Sequence, residues 1–407
     1  MRRPAGTARP ERSKAAGPRL SGTNLERAGD YNQRVTLQAI RVVGPVIRPD
    51  LASITGLTPP AIANITKRLL DQKLIIEVGR VRGGRGQPGM QLAINPDGCF
   101  SLGMNIDRDH ITIVLLDLAG RVRSRATREI DFASPEAVAR FFRDETERMF
   151  SGWNFSAMPV LGLGVAMPDD MGQVDLPRRP ADYEAWSSVD VRALLAPAFD
   201  LPIIVENDAA AAALGESQFG HGLRKPSFFY ILITSGLGGG LVIDGEHFRG
   251  TDGRSGEIGF LPVRSRRSTA RSLQDVVSLS ALYDHLERGG FSLSHPEELS
   301  ALPPEGQALL AEWVDLAAEL LTEPVLSISC VVNPEAVYVG GRLPADIVDH
   351  LIHALNRRLS KVEGVPTIAP VLRAATAADA PAVGAAILPF ISQLLPSRAN
   401  LRKMGED

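Results

Sequence analysis

The chain has 407 residues, 44% apolar and 22% charged, a length beyond the ~250–300 residues at which one core stops growing and a composition that excludes wholesale disorder. Its two cysteines, Cys99 and Cys330, are too few for a disulfide framework or a cysteine-rich zinc site, which suits a reducing cytoplasm. The net charge of −3 conceals an asymmetry: residues 1–95 carry 16 Lys+Arg against 6 Asp+Glu, and the remainder 28 against 41. Such a split predicts a basic module that meets a polyanion, attached to an acidic domain that does not; a solvated basic tail is the alternative.

Residues 1–23 hold Arg, Pro, Gly and Ser in place of an apolar run and read as a disordered basic tail. No stretch approaches the ~18–20 apolar residues that span a bilayer, so neither secretion nor membrane anchoring is expected. Residues 24–96 read as a winged helix-turn-helix. Val35, Leu37, Ile40 and Val43 recur at helical spacing from about Asn32, and Gly44-Pro45 ends that helix. A second helix follows Pro49 with Leu51, Ala52 and Ile54, breaks at Gly56-Leu57, and a third runs from Pro59 to Gln72 with Thr58 as N-cap. Ala52, Gly56 and Ile62 are spaced as two crossing helices require: a small residue, a turn glycine, and an apolar residue beneath the second helix.

On the third helix, the residues facing away from Ile62, Ile65 and Leu69 are candidates for DNA: Thr58, Pro60, Ala61, Ala63, Asn64, Lys67 and Arg68. Asn64 has the two-pronged amide that pairs with adenine, whereas Lys67 and Arg68 suit phosphate. Strands are expected at Ile75–Glu77 and Gln91–Ile94, joined by a glycine-rich tip. Arg85 in that tip would be drawn to the negative potential of a narrow minor groove; a plain flexible linker is the alternative.

Residues 97–397 form the larger domain. A β-hairpin, Ser101 to Leu118, turns at Ala119-Gly120 into Arg121 to Thr127, and strands follow near Val160–Val165 and Ile203–Val205. Next come Glu206-Asn207-Asp208, an alanine-rich helix from Ala209, strands at Phe228–Thr234, Gly240–Ile243 and Val337–Val339, and the motif Gly256-Glu257-Ile258-Gly259.

The order of helix, helix-turn-helix, Gly83–Gly89 wing and large α/β domain, with Asn32-Gln33-Arg34 ahead of the first helix, resembles the ROK family of repressors, open reading frames and kinases. The resemblance covers about Gly22 to Phe390. It implies an α/β fold: the N-terminal winged helix-turn-helix plus a two-lobed actin/sugar-kinase-like (ribonuclease H-like) domain with ligand held between the lobes. Within the family the added helix-turn-helix marks transcriptional regulators, so the expected function is a sequence-specific DNA-binding regulator, a repressor of sugar metabolism genes, tuned by a sugar or sugar derivative. A sugar kinase with an appended DNA-binding domain is the alternative. The expected partners are operator DNA, the sugar and further copies of the chain in a homodimer or homotetramer.

Family kinases carry Asp-Ile-Gly-Gly-Thr in the first hairpin, and this chain has Asn105-Ile106-Asp107-Arg108-Asp109. Two carboxylates would there face a polyphosphate, so no enzymatic activity and no nucleotide cofactor are expected. The sugar half is closer to the family. Asn207 and Asp208 match its sugar-holding pair, with Asp208 at the vestigial base position, and Glu257 matches a further carboxylate. Phe260 replaces a histidine, Gln274 a glutamate, and Asp169 a glycine. Asp208 has a second reading as the N-cap of the alanine-rich helix. The family's zinc-binding stretch is Arg264 to Arg271 here, without soft ligands, and His350 and His353 lack a third partner, so no metal is expected.

Overall fold

The computed structural model describes residues 25–81, 89–151, 159–174, 179–365, 367–375 and 379–397. The basic tail and the wing tip with Arg85 lie outside the described residues. The N-terminal unit comprises α1 (Leu25–Val43), β1 (Val46–Ile47), α2 (Arg48–Thr55), α3 (Pro59–Asp71), β2 (Ile75–Val81) and β3 (Gly89–Ile94). Helix α1 starts seven residues before the expected Asn32. Its first turns are partly exposed where they are described, so they carry no apolar period to read.

Gly56 ends α2 at φ 69°, the left-handed conformation that glycine adopts without penalty. Thr58 occupies the N-cap position of α3, but its side chain makes no capping hydrogen bond. The next two residues are prolines and have no N–H, so of the two amides that a cap serves, at the second and third helical positions, the one at Pro60 is missing. Antiparallel pairing of β3 with both β1 (Val46 opposite Leu92) and β2 (Ile75 opposite Ile94) completes the winged unit. Both wing strands run longer than their apolar signals.

The first lobe of the larger domain is a five-stranded sheet in the order β6-β5-β4-β7-β8. It is built from β4 (Phe100–Ile106), β5 (His110–Asp117), β6 (Val122–Glu129), β7 (Val160–Met167) and β8 (Ile203–Asn207), with α4 (Pro135–Phe150) and α5 (Val191–Leu195). The first three strands are antiparallel, and β7 and β8 join in parallel. Strands β4 and β5 are buried along their whole length, which is why they read as apolar runs without alternation.

Helix α6 (Asp208–Phe219) leads to the second lobe, whose sheet has the order β11-β10-β9-β12-β13. Its strands are β9 (Phe228–Ile233), β10 (Leu237–Ile243), β11 (Glu246–His247), β12 (Ala336–Gly341) and β13 (Val371–Arg373), with α7 (Leu279–Arg288), α8 (Pro304–Val331) and α9 (Ala345–Leu359). Finally α10 (Ala380–Gln393) returns to the first lobe. The backbones meet closely there: a methyl added at Gly103 or Gly164 would lie 2.0 or 1.8 Å from a carbonyl oxygen of α10.

The two parts of the chain share one core. Leu37, Ile40, Ile62, Ile65 and Leu69 of the winged unit belong to the same buried cluster as Leu214, Ile387, Phe390 and Leu395 of the larger domain. Burial of this kind, at roughly 25 cal/mol per Å² of apolar surface, makes α1 a docked element, with no free linker between the two parts.

Candidate functional site

On α3, Ile62, Ile65 and Leu69 are buried, while Thr58, Pro60, Ala63, Asn64, Lys67 and Arg68 are exposed and Ala61 is half-buried. The helical period sets this division. Thr66, on the inner side, donates to the Ile62 carbonyl (2.8 Å) and accepts from Arg48 Nε (2.9 Å), tying α3 to the start of α2. The outer face is thus an exposed strip that carries Thr58, Asn64, Lys67 and Arg68.

All five cleft candidates, Asn207, Asp208, Glu257, Phe260 and Gln274, surround one cavity with Arg108, Asp169 and Gly236–Gly238. The cavity measures about 40 Å³, room for a few water molecules and less than a sugar ring. Arg108 helps to fill it: a methyl on Gly236 would fall 2.5 Å from Arg108 Nη1. A wider space of about 330 Å³ lies beyond Asp169 and Asn207, lined by Asp170, Trp186, Glu206 and Arg249.

The N-cap of α6 is Asn207, and Asp208 is the first helical residue, which corrects the N-cap reading of Asp208. Asn207 Oδ1 accepts from the backbone N–H of Ala209 (2.9 Å) and Ala210 (3.1 Å), and its Nδ2 donates to Asp169 (3.1 Å). Asp208 accepts only from its neighbour Ala209 (2.8 Å), among the hydrogen bonds described. Burial, followed by the charge of Asp107, pushes its carboxyl up to about 7. Burial and then Asp169 likewise raise Glu257 above the usual carboxylate range. An acid poised near neutrality can exchange a proton with a bound hydroxyl.

In the first hairpin Asp107 and Asp109 both have partners across the cleft. Asp107 Oδ1 accepts from Ser235 Oγ of the opposite lobe (2.8 Å) and from the Arg108 amide (2.7 Å). Asp109 pairs with His110 Nδ1 (2.7 Å) and, across the cleft, with Arg342 Nη1 (2.7 Å). The second prong of Arg342 meets Glu129 at 2.6 Å. The physical reason is charge balance, because carboxylates removed from water require partners, and Arg342 at the end of β12 supplies one. These bonds join the first hairpin to the opposite lobe across the cleft. With Asp107 and Asp109 bonded to Ser235 and Arg342 and the Arg108 side chain set against Gly236, this hairpin does not fit a nucleotide phosphate.

Asp107, Asp109 and His110 offer ligand atoms within 4.8 Å of one another, but Arg342, Ser235 and Asn105 already bond to them. The stretch in place of the family's zinc motif is held by ions of another kind. Arg267 Nη1 contacts Asp315 and Glu319 of α8, each at 2.9 Å, and Ser265 donates to Glu319 (2.8 Å). His350 and His353 are exposed on α9.

Sequence reasoning missed three arginines that join the lobes. Besides Arg342, Arg249 meets Glu206 at 3.0 Å and Arg254 pairs with Asp170 and lies 3.6 Å from Glu257. The one available signal was a charge directly after Gly340-Gly341 at a strand end, and it names no partner.

Residues 101–390 match the ROK family. The chain is 30% identical over 364 residues to the uncharacterized protein y4fQ of Sinorhizobium fredii, covering 88% of this chain and 90% of that protein. It is 26% identical over 234 residues to the xylose repressor of Bacillus subtilis, covering 57% of this chain and 60% of that repressor. Among solved structures, a ROK family transcriptional regulator described as a homologue of the Escherichia coli MLC protein superposes with TM-score 0.67 at 22% identity, covering 90% of this chain and 98% of that one. The chain belongs to the ROK family.

Proposed function

We propose that this chain is a sequence-specific DNA-binding repressor whose operator affinity changes when a sugar or sugar derivative enters the interlobe cleft, and that it transfers no phosphate. One arrangement carries the reading: an exposed polar face on α3, joined through a shared core to a kinase-shaped domain whose phosphate region is crossed by the Arg342–Asp109 ion pair. The xylose repressor of Bacillus subtilis, a relative over part of the chain, supports the same assignment. The sugar contacts are Asn207, Asp208, Glu257, Phe260 and Gln274, whose cavity of about 40 Å³ has to open to admit a ring, and the DNA contacts are Thr58, Pro60, Ala61, Ala63, Asn64, Lys67, Arg68 and, beyond the described residues, Arg85. Two copies would present two α3 helices to a palindrome with half-sites about one helical turn, ~34–36 Å, apart.

Calorimetric titration with neutral sugars and with ATP plus magnesium tests this. A sugar that binds without any ATP signal, and that shifts the affinity for a DNA duplex selected by the protein, supports the regulator. ATP binding with sugar turnover would establish a kinase, the reading that the poised carboxyl of Asp208 favours.

A further inference from the structure

We propose that Arg41 and Gln218 are positioning residues for operator binding, and that α6 connects them rigidly to the ligand cleft. The proposal rests on the regulator reading and names its route of regulation.

The two ends of α6 do different work. At the first, the cap residue Asn207 points its amide at Asp169 in the cleft and Asp208 lines the cavity. At the other, about 18 Å away for a 12-residue helix, Gln218 is held by α1 of the winged unit. Arg41 Nη1 donates to the Gln218 carbonyl (3.3 Å), Arg41 Nη2 donates to its side-chain oxygen, and Gln38 Nε2 donates to the same oxygen (3.2 Å). The Arg41 guanidinium also lies 5.0 Å from the centre of the Phe219 ring. Gln38 and Arg41 are three residues apart on α1 and so share a face, while Leu37 and Ile40 pack in the core beneath α3.

Between these ends α6 has little freedom to bend or slide. Residues Asp208 to Ser217 are all buried. A methyl on Gly384 of α10 would sit 1.7 Å from the Ala211 carbonyl oxygen, and one on Gly240 of β10 would sit 2.6 Å from the Ala213 Cβ. Backbones in such contact move as a unit, because a close-packed interior transmits displacement. The C-terminal end of α10 gives α1 a second anchor: Arg34 Nη1 donates to the carbonyls of Ser392 (3.1 Å) and Leu395 (3.3 Å). With α1 fixed to the ends of both helices, a shift of the α6 cap in the cleft re-aims α1, and α3 turns with it.

The test is a double-mutant cycle on the full chain, read by fluorescence anisotropy on a DNA duplex that the wild-type protein has selected from random sequence. Asn207→Ala removes the cap at the cleft end and is expected to change the affinity about fivefold or more. In the Arg41→Ala/Gln218→Ala background the same change is expected to have less than about a twofold effect. An equal effect in both backgrounds, or none in either, overturns the proposal and leaves the regulator reading intact. A chain that selects no duplex overturns both. If Asn207→Ala does not fold, Gly215→Ala serves: its added methyl would stand 3.3 Å from Gly384, midway along α6, and the cycle is read in the same way.

Discussion

Arg342, at the end of β12, bridges Asp109 and Glu129 of the opposite lobe at 2.7 and 2.6 Å, with its own side chain about nine-tenths buried. One guanidinium thereby ties the turn before β5 to the end of β6. Arg342→Ala leaves Asp109 and Glu129 without that counter-charge. Removing one member of a buried pair costs ~3 kcal/mol, and urea denaturation should show the loss, while the exposed pair of Arg373 with Asp349 should show next to none on mutation.

The same cluster predicts a pH dependence. His110 is raised above 6.5: burial opposes the charge, but the bond to Asp109 and the negative charge around it prevail. Its contribution is full below 6.5 and is lost as pH rises through the raised value. Asp109 is lowered below 3.8, its bonds to His110 and Arg342 outweighing burial, so its contribution is present above 3.8 and is lost as pH falls through the lowered value. Together they place the plateau of this cluster between about 4 and 6.5. Melting temperature against pH, compared with His110→Gln, checks it; a wild-type profile that parallels the variant above 6.5 would refute the assignment.

Asp208 acts in the opposite sense to Asp109. With its carboxyl pushed up to about 7 from 3.8, the folded chain holds a proton that the unfolded chain releases, so stability falls as pH rises from about 4 to about 7. Asp208→Asn should leave stability unchanged at pH 4 and raise it at pH 8. One unit is worth ~1.4 kcal/mol, so the gain is of order a few kcal/mol. Urea midpoints at the two pH values measure it, and a gain of equal size at both would refute the protonation argument.

On α3, Asn64→Ala should relax base preference at one position of the selected duplex. Lys67→Ala should weaken binding to every sequence and lower the salt slope by about 0.9 if it neutralises one phosphate. Equal losses on all sequences for both variants would remove Asn64 from the reading role.

Arg267→Ala should loosen residues 264–271 on α8, leaving the Ser265–Glu319 bond as the remaining tie among the bonds described. Its ion pairs with Asp315 and Glu319 are solvent-exposed, so global stability should change by less than ~1 kcal/mol. Hydrogen exchange within that segment should nevertheless quicken.

By itself the sequence determined the elements and the chemistry each offers. The apolar period of Ile62, Ile65 and Leu69 dictated the buried side of α3 and therefore its exposed side, because a helix repeats every 3.6 residues. Asn207-Asp208 and Gly256-Glu257 were legible as short motifs, since their local backbone comes with the residues. The start of α1 and the missing cap bond of Thr58 were not, because partial exposure and two prolines leave no pattern to read. Tertiary structure alone decided which charges meet. Asp109 and Arg342 are 233 positions apart, and Arg41 and Gln218 are 177 apart. No periodicity pairs such residues; only the packing of the two lobes, and of α1 on α6, does so. The Arg342–Asp109 bridge and the attachment of the winged unit to α6 both follow from that packing, because an ion pair depends on distance in space and leaves no trace in the order of the chain.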